Sequence, residues 1–292
     1  MRYLILLIFL VGCTNNFVLN DNISPEVLFC PKDNCSQRFI ELTENAKSVK
    51  CAFYDIDLNE MIENIDELIV ESDNNIENAI QDKNSALMHN KFCIIDDILW
   101  TGSFNPTFNG NYRNNNNVVI VKSEFLLQNH LDEFNEMKSG TYGKGEKVKY
   151  SKGENWENYF CPEDNCKEKV LGVLDEAKNN VYFMTFSFTD AEIASKLVEI
   201  SDFVYVEGLM EAKRVGMSYN QYSSMKDHFL INLDSNPWTM HHKVFVIDEE
   251  IVITGSYNPT KNANERNDEN LLIIRDKSVA KLFLKEFYDL SQ

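Results

Sequence analysis

The chain carries one pattern twice, so any fold it adopts has to build that pattern two times and bring the copies into a sensible relation. Residues Met88–Val121 read MHNKFCIIDDILWTGSFNPTFNGNYRNNNNVVIV, and Met240–Ile274 read MHHKVFVIDEEIVITGSYNPTKNANERNDENLLII. Each copy holds His-x-Lys, four residues, Asp, then Gly-Ser-aromatic-Asn-Pro-Thr, an Asn-rich turn and a second apolar run. His89, Lys91, Asp96, Gly102, Ser103 and Asn105 answer His241, Lys243, Asp248, Gly255, Ser256 and Asn258. The spacing from His to Asn is 16 residues in the first copy and 17 in the second, so one residue slips between motif and turn.

Each copy reads as strand, short turn, strand and a polar loop leading to a further strand. The apolar, β-rich runs in KFCIID and KVFVID are too short for a typical helix and end at acidic turn residues. On a strand, His and Lys two positions apart share a face, so imidazole and ammonium converge on one place. The Gly-Ser-x-Asn turn adds a hydroxyl, a carboxamide and close backbone approach, groups suited to phosphate oxygens. A single His-x-Lys in a strand is ordinarily a solvated edge. The complete pattern twice in one chain argues for a shared site instead.

At these residues the chain resembles the phospholipase D superfamily, whose signature is His-x-Lys-(x)4-Asp followed by Gly-Ser-x-Asn. Both copies match at every lettered position, and with flanking elements the resemblance covers nearly all of the chain after its leader. It implies an α/β fold of two similar halves, each a mixed sheet flanked by helices, packed about a pseudo-two-fold axis with one site between them. It also implies phosphodiester cleavage, in which one histidine attacks phosphorus to form a phosphohistidine that water then releases. Imidazole suits both nucleophilic and proton-transfer work because its ordinary pKa, about 6.5, lies near working pH. Lys91, Lys243, Asn105 and Asn258 are expected to hold the non-bridging oxygens, with Ser103 and Ser256 as further substrate contacts. Asp96 and Asp248, five residues beyond the lysines, face away from them on a regular strand and read as structural anchors. The histidines form no ligand cluster, so neither a metal nor a cofactor is expected.

The rest of the chain divides around these copies. Residues 1–22 read as a leader and spacer: a positive start at Arg2, an apolar run from Tyr3 to Val11, then Leu10-Val11-Gly12-Cys13. That run is too short to span a bilayer, which takes about 20 residues. Its end resembles a prokaryotic lipobox with Cys13 as the lipidated residue, and an ordinary secretory signal is the alternative. Either reading places the protein outside the cytoplasm, held to a membrane or secreted. Residues 23–138 form a first domain, 139–155 a Gly-containing linker and 156–292 a second domain.

Of seven cysteines, six remain beyond Cys13, and four repeat as FCPKDNC and FCPEDNC. Cys30–Cys35 and Cys161–Cys166 disulfides are expected, because a zinc site needs four ligands and no His accompanies either pair. Cys51 and Cys93, both in predicted strands, either pair or stand as buried thiols. Helices are expected over 37–47, 167–178, 57–65, 191–200, 124–137 and 278–290. Residues 207–238, containing Met210, Met217, Tyr219, Tyr222 and Met225, read as an insertion of the second half, either an amphipathic helix or a lid.

One asymmetry divides the roles. Aligning the closing strands sets Asn116 against Glu269, and family members often orient the imidazole with an acid near this point. Glu269 is therefore expected beside His241, favouring its imidazolium and making it the general acid, with His89 as nucleophile. An acid from the opposite half is an open alternative for His89. His242 is expected to pack on the opposite face, and His130 and His228 to lie on the surface. The formal net charge of −18 disfavours a broad grip on nucleic acid, whose phosphates call for Lys and Arg. Phospholipid at a membrane surface is thus the expected substrate. An exported nuclease is the alternative, and a non-catalytic binding lipoprotein a third reading.

Overall fold

The computed structural model describes residues 24–292; the leader and Cys13 lie outside the described residues. The first half runs β1 (Glu26–Cys30), α1 (Cys35–Thr43), β2 (Val49–Phe53), α2 (Asn59–Ile62), β3 (Glu67–Val70), β4 (Ile80–Gln81), β5 (Lys91–Ile95), β6 (Ile98–Gly102), α3 (Phe108–Tyr112), β7 (Asn116–Val121) and α4 (Glu124–Lys138). After residues 139–155 the same order begins again with β8 (Trp156–Cys161), α5 (Cys166–Leu174), β9 (Asn180–Thr185), α6 (Ala191–Ile200) and β10 (Tyr205–Met210). It continues through α7 (Tyr222–Met225), β11 (Leu230–Leu233), β12 (Lys243–Ile247), β13 (Ile251–Gly255), α8 (Lys261–Glu265), β14 (Glu269–Arg275) and α9 (Lys277–Leu290).

Each half folds into a seven-stranded mixed sheet with identical strand order, β1-β7-β6-β5-β2-β3-β4 and β8-β14-β13-β12-β9-β10-β11. The motif strands β5 and β12 lie at the centre of their sheets and are buried along their whole length. Strands covered on both faces read as unbroken apolar runs, which is why KFCII and KVFVI show no alternation. Helix α4 lies on the first sheet and reaches β8, while α9 lies on the second and reaches β1. The core between the sheets therefore mixes both halves: Phe92, Phe134 and Met137 pack with Phe160, Met184 and Phe283. Each such buried side chain contributes roughly 1.5–3 kcal/mol of transfer free energy. Two further cores fill the outer faces, and in the first of them Phe39 meets Trp100 edge-on at 5.5 Å.

Disulfides join Cys30 to Cys35 and Cys161 to Cys166, each just ahead of a helix, and a third joins Cys51 to Cys93 across β2 and β5. At the position of that third bridge the second sheet has Phe183 opposite Phe245.

Two expectations need correction. Residues 207–238 do not form an amphipathic helix. Glu207–Met210 belong to β10, the counterpart of β3, and the rest is turns, the single turn α7 and edge strand β11. Parallel pairing to β9 recruits the segment, a tertiary effect that local periodicity does not carry. Met210 and Met225 are buried, while Met217 and Tyr219 are exposed. His130 is not on the surface but fully buried, its Nδ1–H donating to the Leu126 carbonyl at 2.7 Å between the edges of Phe92 and Phe160. His228 is exposed, and His242 is buried.

Burial holds the His130 pKa down at about 4. As pH falls through 6.5 the unfolded chain takes up this proton first, so the stability His130 contributes is lost between about pH 6.5 and 4. The loss is on the order of 3 kcal/mol. Urea unfolding of the parent and His130→Asn between pH 7.5 and 4 is expected to show their stability difference shifting in favour of the variant as pH falls.

Candidate active site

The two motifs meet because the halves exchange backbone hydrogen bonds at the start of each motif strand. The His89 N–H donates to the Asp268 carbonyl at 2.8 Å, and Asp268 N–H donates to Leu87 at 2.9 Å. The mirror pair is His241 N–H to Asn115 at 2.8 Å and Asn115 N–H to Thr239 at 2.9 Å. This reciprocity is the pseudo-two-fold axis, and it sets both motif histidines on one cavity with their lysines buried beside them. That cavity, about 910 Å³, is lined by His89, His241, Asn105, Asn258, Glu269 and Arg214 among others.

Strand alternation puts His and Lys of each motif on one side. Lys91 Nζ donates to the His89 carbonyl at 2.7 Å, and Lys243 Nζ to that of His241 at 2.8 Å. Aromatic rings back both sets. Tyr54 packs 4.9 Å from the His89 ring and 5.1 Å from Lys91 Nζ. Phe186 packs 4.8 Å from His241 and 4.9 Å from Lys243 Nζ. These rings sit one residue beyond β2 and β9, and the motif-centred reading passed over them.

The turn after each second strand follows from its sequence. Gly102 and Gly255 have φ of 151° and 136°, and a Cβ there would strike the carbonyls of Asn117 and Asn270. Thr107 and Thr260 cap α3 and α8 by accepting from Gly110 N–H at 2.9 Å and Ala263 N–H at 3.2 Å. Asn105 and Asn258 are thereby held at the cavity, their carboxamide oxygens buried without a protein partner. Asp96 and Asp248 lie on the turns at the far ends of the motif strands. Asp96 accepts from the backbone N–H groups of Lys47 and Ser48, and Asp248 from Lys178, Asn179 and Asn180.

The structure places the two serines differently from the expected substrate contact. Both are fully buried with their hydroxyls engaged inside the protein. Ser103 Oγ accepts from the Asn117 backbone at 3.0 Å. Ser256 Oγ accepts from Asn270 N–H at 2.9 Å and donates to Glu269 at 2.9 Å. They fix the closing strands and, through Ser256, the carboxylate.

The expected pairing of Glu269 with His241 is also corrected. Glu269 Oε2 lies 2.6 Å from Nδ1 of His89, in the opposite half. His241 Nδ1 instead donates to Asn116 Oδ1 at 2.9 Å and to the Ser103 carbonyl at 3.0 Å. Alignment makes Asn116 and Glu269 equivalent, and the two-fold axis carries each across to the other copy's histidine. With both Nδ1 atoms donating, Nε2 is the nitrogen each ring has left for the cavity.

Burial dominates the electrostatics. It holds both imidazoles well below their ordinary pKa, with the two lysines pressing in the same direction. Lys91 is lowered to about 7 by burial against the pull of Glu269 and Asp55, and Lys243 is lowered well below its usual range. Glu269 is raised to about 7 by burial, opposed by Lys91 and by hydrogen bonds from Ser256 and Asn267. An anionic phosphate would reverse these pressures by giving the lysines a partner. Among the described residues no group of three or more His, Cys, Asp or Glu could hold a metal ion.

Glu71 and Glu211 were also missed. Each is buried directly after β3 or β10 and accepts the backbone N–H ahead of a motif histidine, Met88 at 2.6 Å and Met240 at 2.7 Å. The matching Glu67-x-x-x-Glu71 and Glu207-x-x-x-Glu211 were a usable signal, hidden by reading 207–238 as an insertion.

Two His-x-Lys motifs, one from either half, meet at a single cavity that both histidines line, with each lysine buried against the carbonyl of its own histidine. A family model described as "Cardiolipin synthase, PLD-like domain" matches residues 54–138 and 170–290, and the chain belongs to the phospholipase D superfamily. It is 28% identical over 130 residues to a phospholipase D of Rickettsia conorii, covering 44% of this chain and 65% of that protein. It is 46% identical over 126 residues to the mitochondrial cardiolipin hydrolase of Homo sapiens, covering 42% of this chain and 50% of that protein. The chain thus spans less than two thirds of the length of either relative. Among solved structures, phosphatidylserine synthase of Haemophilus influenzae shares the fold at TM-score 0.65 and 11% identity, over 92% of this chain and 87% of that one.

Because Glu269 and Lys91 both titrate near 7, kcat/KM on a soluble aryl phosphodiester is expected to trace a narrow bell around neutrality. Its acid limb records protonation of the carboxylate that holds His89, and its alkaline limb loss of charge on Lys91. Glu269→Gln is expected to lower kcat by about 10²–10⁴-fold, to erase the acid limb and to move the alkaline one to lower pH, because Glu269 holds the Lys91 pKa up. An acid limb unchanged in the variant would show that another group sets it.

Proposed function

We propose that the chain is a phosphodiester hydrolase of the phospholipase D type, working through a phosphohistidine on His89, with phospholipid as its substrate. The observation that carries this reading is the crossed support of the two imidazoles. His89 is neutral and donates Nδ1–H to a carboxylate, so its Nε2 lone pair is enriched for attack on phosphorus. As that nitrogen becomes cationic in the phosphohistidine, Glu269 stabilises the charge. His241 is held by neutral acceptors, so its imidazolium gives up a proton readily to the departing alkoxide. Division of labour is therefore as the sequence implied, on a different physical ground.

Lys91, Lys243, Asn105 and Asn258 take the non-bridging oxygens, and bound phosphate supplies the negative charge that lets His241 carry its proton. After the alcohol leaves, neutral His241 takes a proton from water, whose oxygen attacks phosphorus and expels His89. The net change is one diester and one water to a monoester and an alcohol. The relatives named for phospholipase D and cardiolipin hydrolase support lipid as the substrate, as do the −18 charge and the lipobox-like end at Cys13. A diacylated Cys13 would hold the enzyme at the membrane that contains its substrate.

Purified protein given phosphatidylcholine vesicles, DNA and RNA side by side in EDTA is expected to release free head group from vesicles, and Cys13→Ser to move the protein out of the membrane fraction. Nucleic acid degraded while vesicles stay intact would replace this reading with a nuclease, and loss of turnover in EDTA would overturn the mechanism. The roles of the histidines are read by acid-quenched labelling with a p-nitrophenyl phosphodiester, whose leaving group needs no proton. His89→Asn is expected to abolish turnover, and His241→Asn to accumulate label on His89. Label on His241 in the His89→Asn protein would reverse the assignment.

A further inference from the structure

The pseudo-two-fold symmetry of the cavity fails at its rim. Helices α3 and α8 are equivalents that follow the same Asn-Pro-Thr turn, yet residues 108–113 read FNGNYR and 261–266 read KNANER. Phe108 and Tyr112 stand where α8 has Lys261 and Glu265, which pair with each other at 3.9 Å. On the α3 side the rings gather into one exposed shelf. Phe108 and Tyr112 lie 5.1 Å apart and are each 49% exposed. Arg113 sits 4.8 Å from the Phe108 ring and 3.9 Å from Trp238, itself 44% exposed. Asn236 fixes the Trp238 turn to the first half, donating to the Arg113 carbonyl at 3.0 Å. The residues next along the chain from Arg113 and Trp238, Asn114 and Thr239, line the catalytic cavity. The shelf is therefore one lip of the active site, built from both halves, while α8 presents Lys261 and Glu265 at the equivalent positions of the other.

We infer that this shelf is a docking surface for a lipid bilayer, seating the first-half lip in the head-group layer so that phosphodiesters enter the cavity from the membrane. Trp, Tyr and Phe prefer that layer, where an apolar ring meets polar surroundings, and Arg extends its charge to lipid phosphates from among them. Arg214 on the cavity wall continues the positive charge inward, in a chain that is otherwise strongly acidic. Exposed, contiguous aromatic surface of this kind marks an interaction site rather than a scattered accident. A strand of nucleic acid fits the shelf less well, since stacking platforms for bases run beside a cationic groove that follows several phosphates. Here Arg113 lies against the Phe108 and Trp238 rings, and Lys213 is held on the Pro237 and Trp238 carbonyls. The inference rests on the phospholipid reading for its purpose, but its test reads binding separately from cleavage.

The chain with Cys13→Ser, so that no acyl anchor contributes, is mixed with vesicles of equimolar phosphatidylcholine and phosphatidylglycerol. The chain has three tryptophans, and Trp100 and Trp156 are buried, so a change in Trp emission reports Trp238. A blue shift with vesicles is expected, and Phe108→Lys/Tyr112→Glu is expected to remove it and weaken vesicle partition at least about tenfold. Those substitutions copy α8, where the same fold already accepts them. Hydrolysis of soluble bis-p-nitrophenyl phosphate is expected to stay unchanged, and a matching loss there would overturn the inference by making the shelf part of the chemical site. Unaltered vesicle binding and emission in the variant would also overturn it, as would a variant that loses oligonucleotide binding while keeping vesicles. Shelf-dependent binding to vesicles that the parent does not cleave would leave the shelf in place and overturn the lipid-substrate reading alone.

Discussion

The hydrogen bond between His89 and Glu269 joins residues 180 positions apart, and the site depends on what makes it possible. It exists only because the His89 strand start and Asp268 exchange backbone hydrogen bonds, with Asn115 and His241 doing the same on the other side. Separating the halves would strip each imidazole of its Nδ1 acceptor at once. Neither half then holds a weaker site; each holds an incomplete one. The shared core works toward the same end, since α4 and α9 each touch the opposite sheet and hold the exchange in register.

The same packing creates an electrostatic tension that substrate relieves. Two ammonium groups and two imidazoles are buried close together at the cavity, with Glu269 held against them and Asp55 acting on Lys91. Burial pushes every one of these groups toward its neutral form, which is why Lys91 falls and Glu269 rises to about 7. A phosphodiester anion brings the missing counter-charge in a place where water screens little. Under the proposed function binding and activation would be one event: the ligand to be cleaved would restore charge to the lysines.

How much of this was legible in the sequence depends on the range of the interaction. His-x-Lys, the capped Gly-Ser-x-Asn turn and the duplicated order of elements are local, and each shows in a few consecutive residues. Glu269 was visible as a residue but not as a neighbour, because aligned positions are equivalent in chain order while the two-fold axis exchanges them in space. Ser103 and Ser256 looked like phosphate ligands because a hydroxyl carries no mark of which way it turns. Residues 207–238 were misread because β10 and β11 are strands by pairing rather than by pattern, and that misreading hid Glu211. His130 lacks any motif, and only the packing of Phe92 and Phe160 reveals it as core.

A duplicated chain with a shared site begins with two equal histidines, but the proposed displacement at phosphorus needs unequal ones. The inequality enters at very few positions. Asn116 opposite Glu269 separates a histidine supported by a carboxylate from one supported by a carboxamide. Phe108 and Tyr112 opposite Lys261 and Glu265 separate an apolar lip from a polar one. The Cys51–Cys93 bridge opposite Phe183 and Phe245 separates a covalently tied sheet centre from one held by ring packing at 6.0 Å. Around these differences the backbone exchange, the Asp96 and Asp248 anchors, the Glu71 and Glu211 caps and the rings of Tyr54 and Phe186 remain paired. What positions the reacting groups is therefore symmetric, and what assigns them different work is not. On that division, exchanging Asn116 and Glu269 would move the carboxylate from one histidine to the other and, under the proposed roles, trade nucleophile for acid, at the cost of the hydrogen bonds that the Asn116 carboxamide donates to the Gly110 and Asn114 carbonyls.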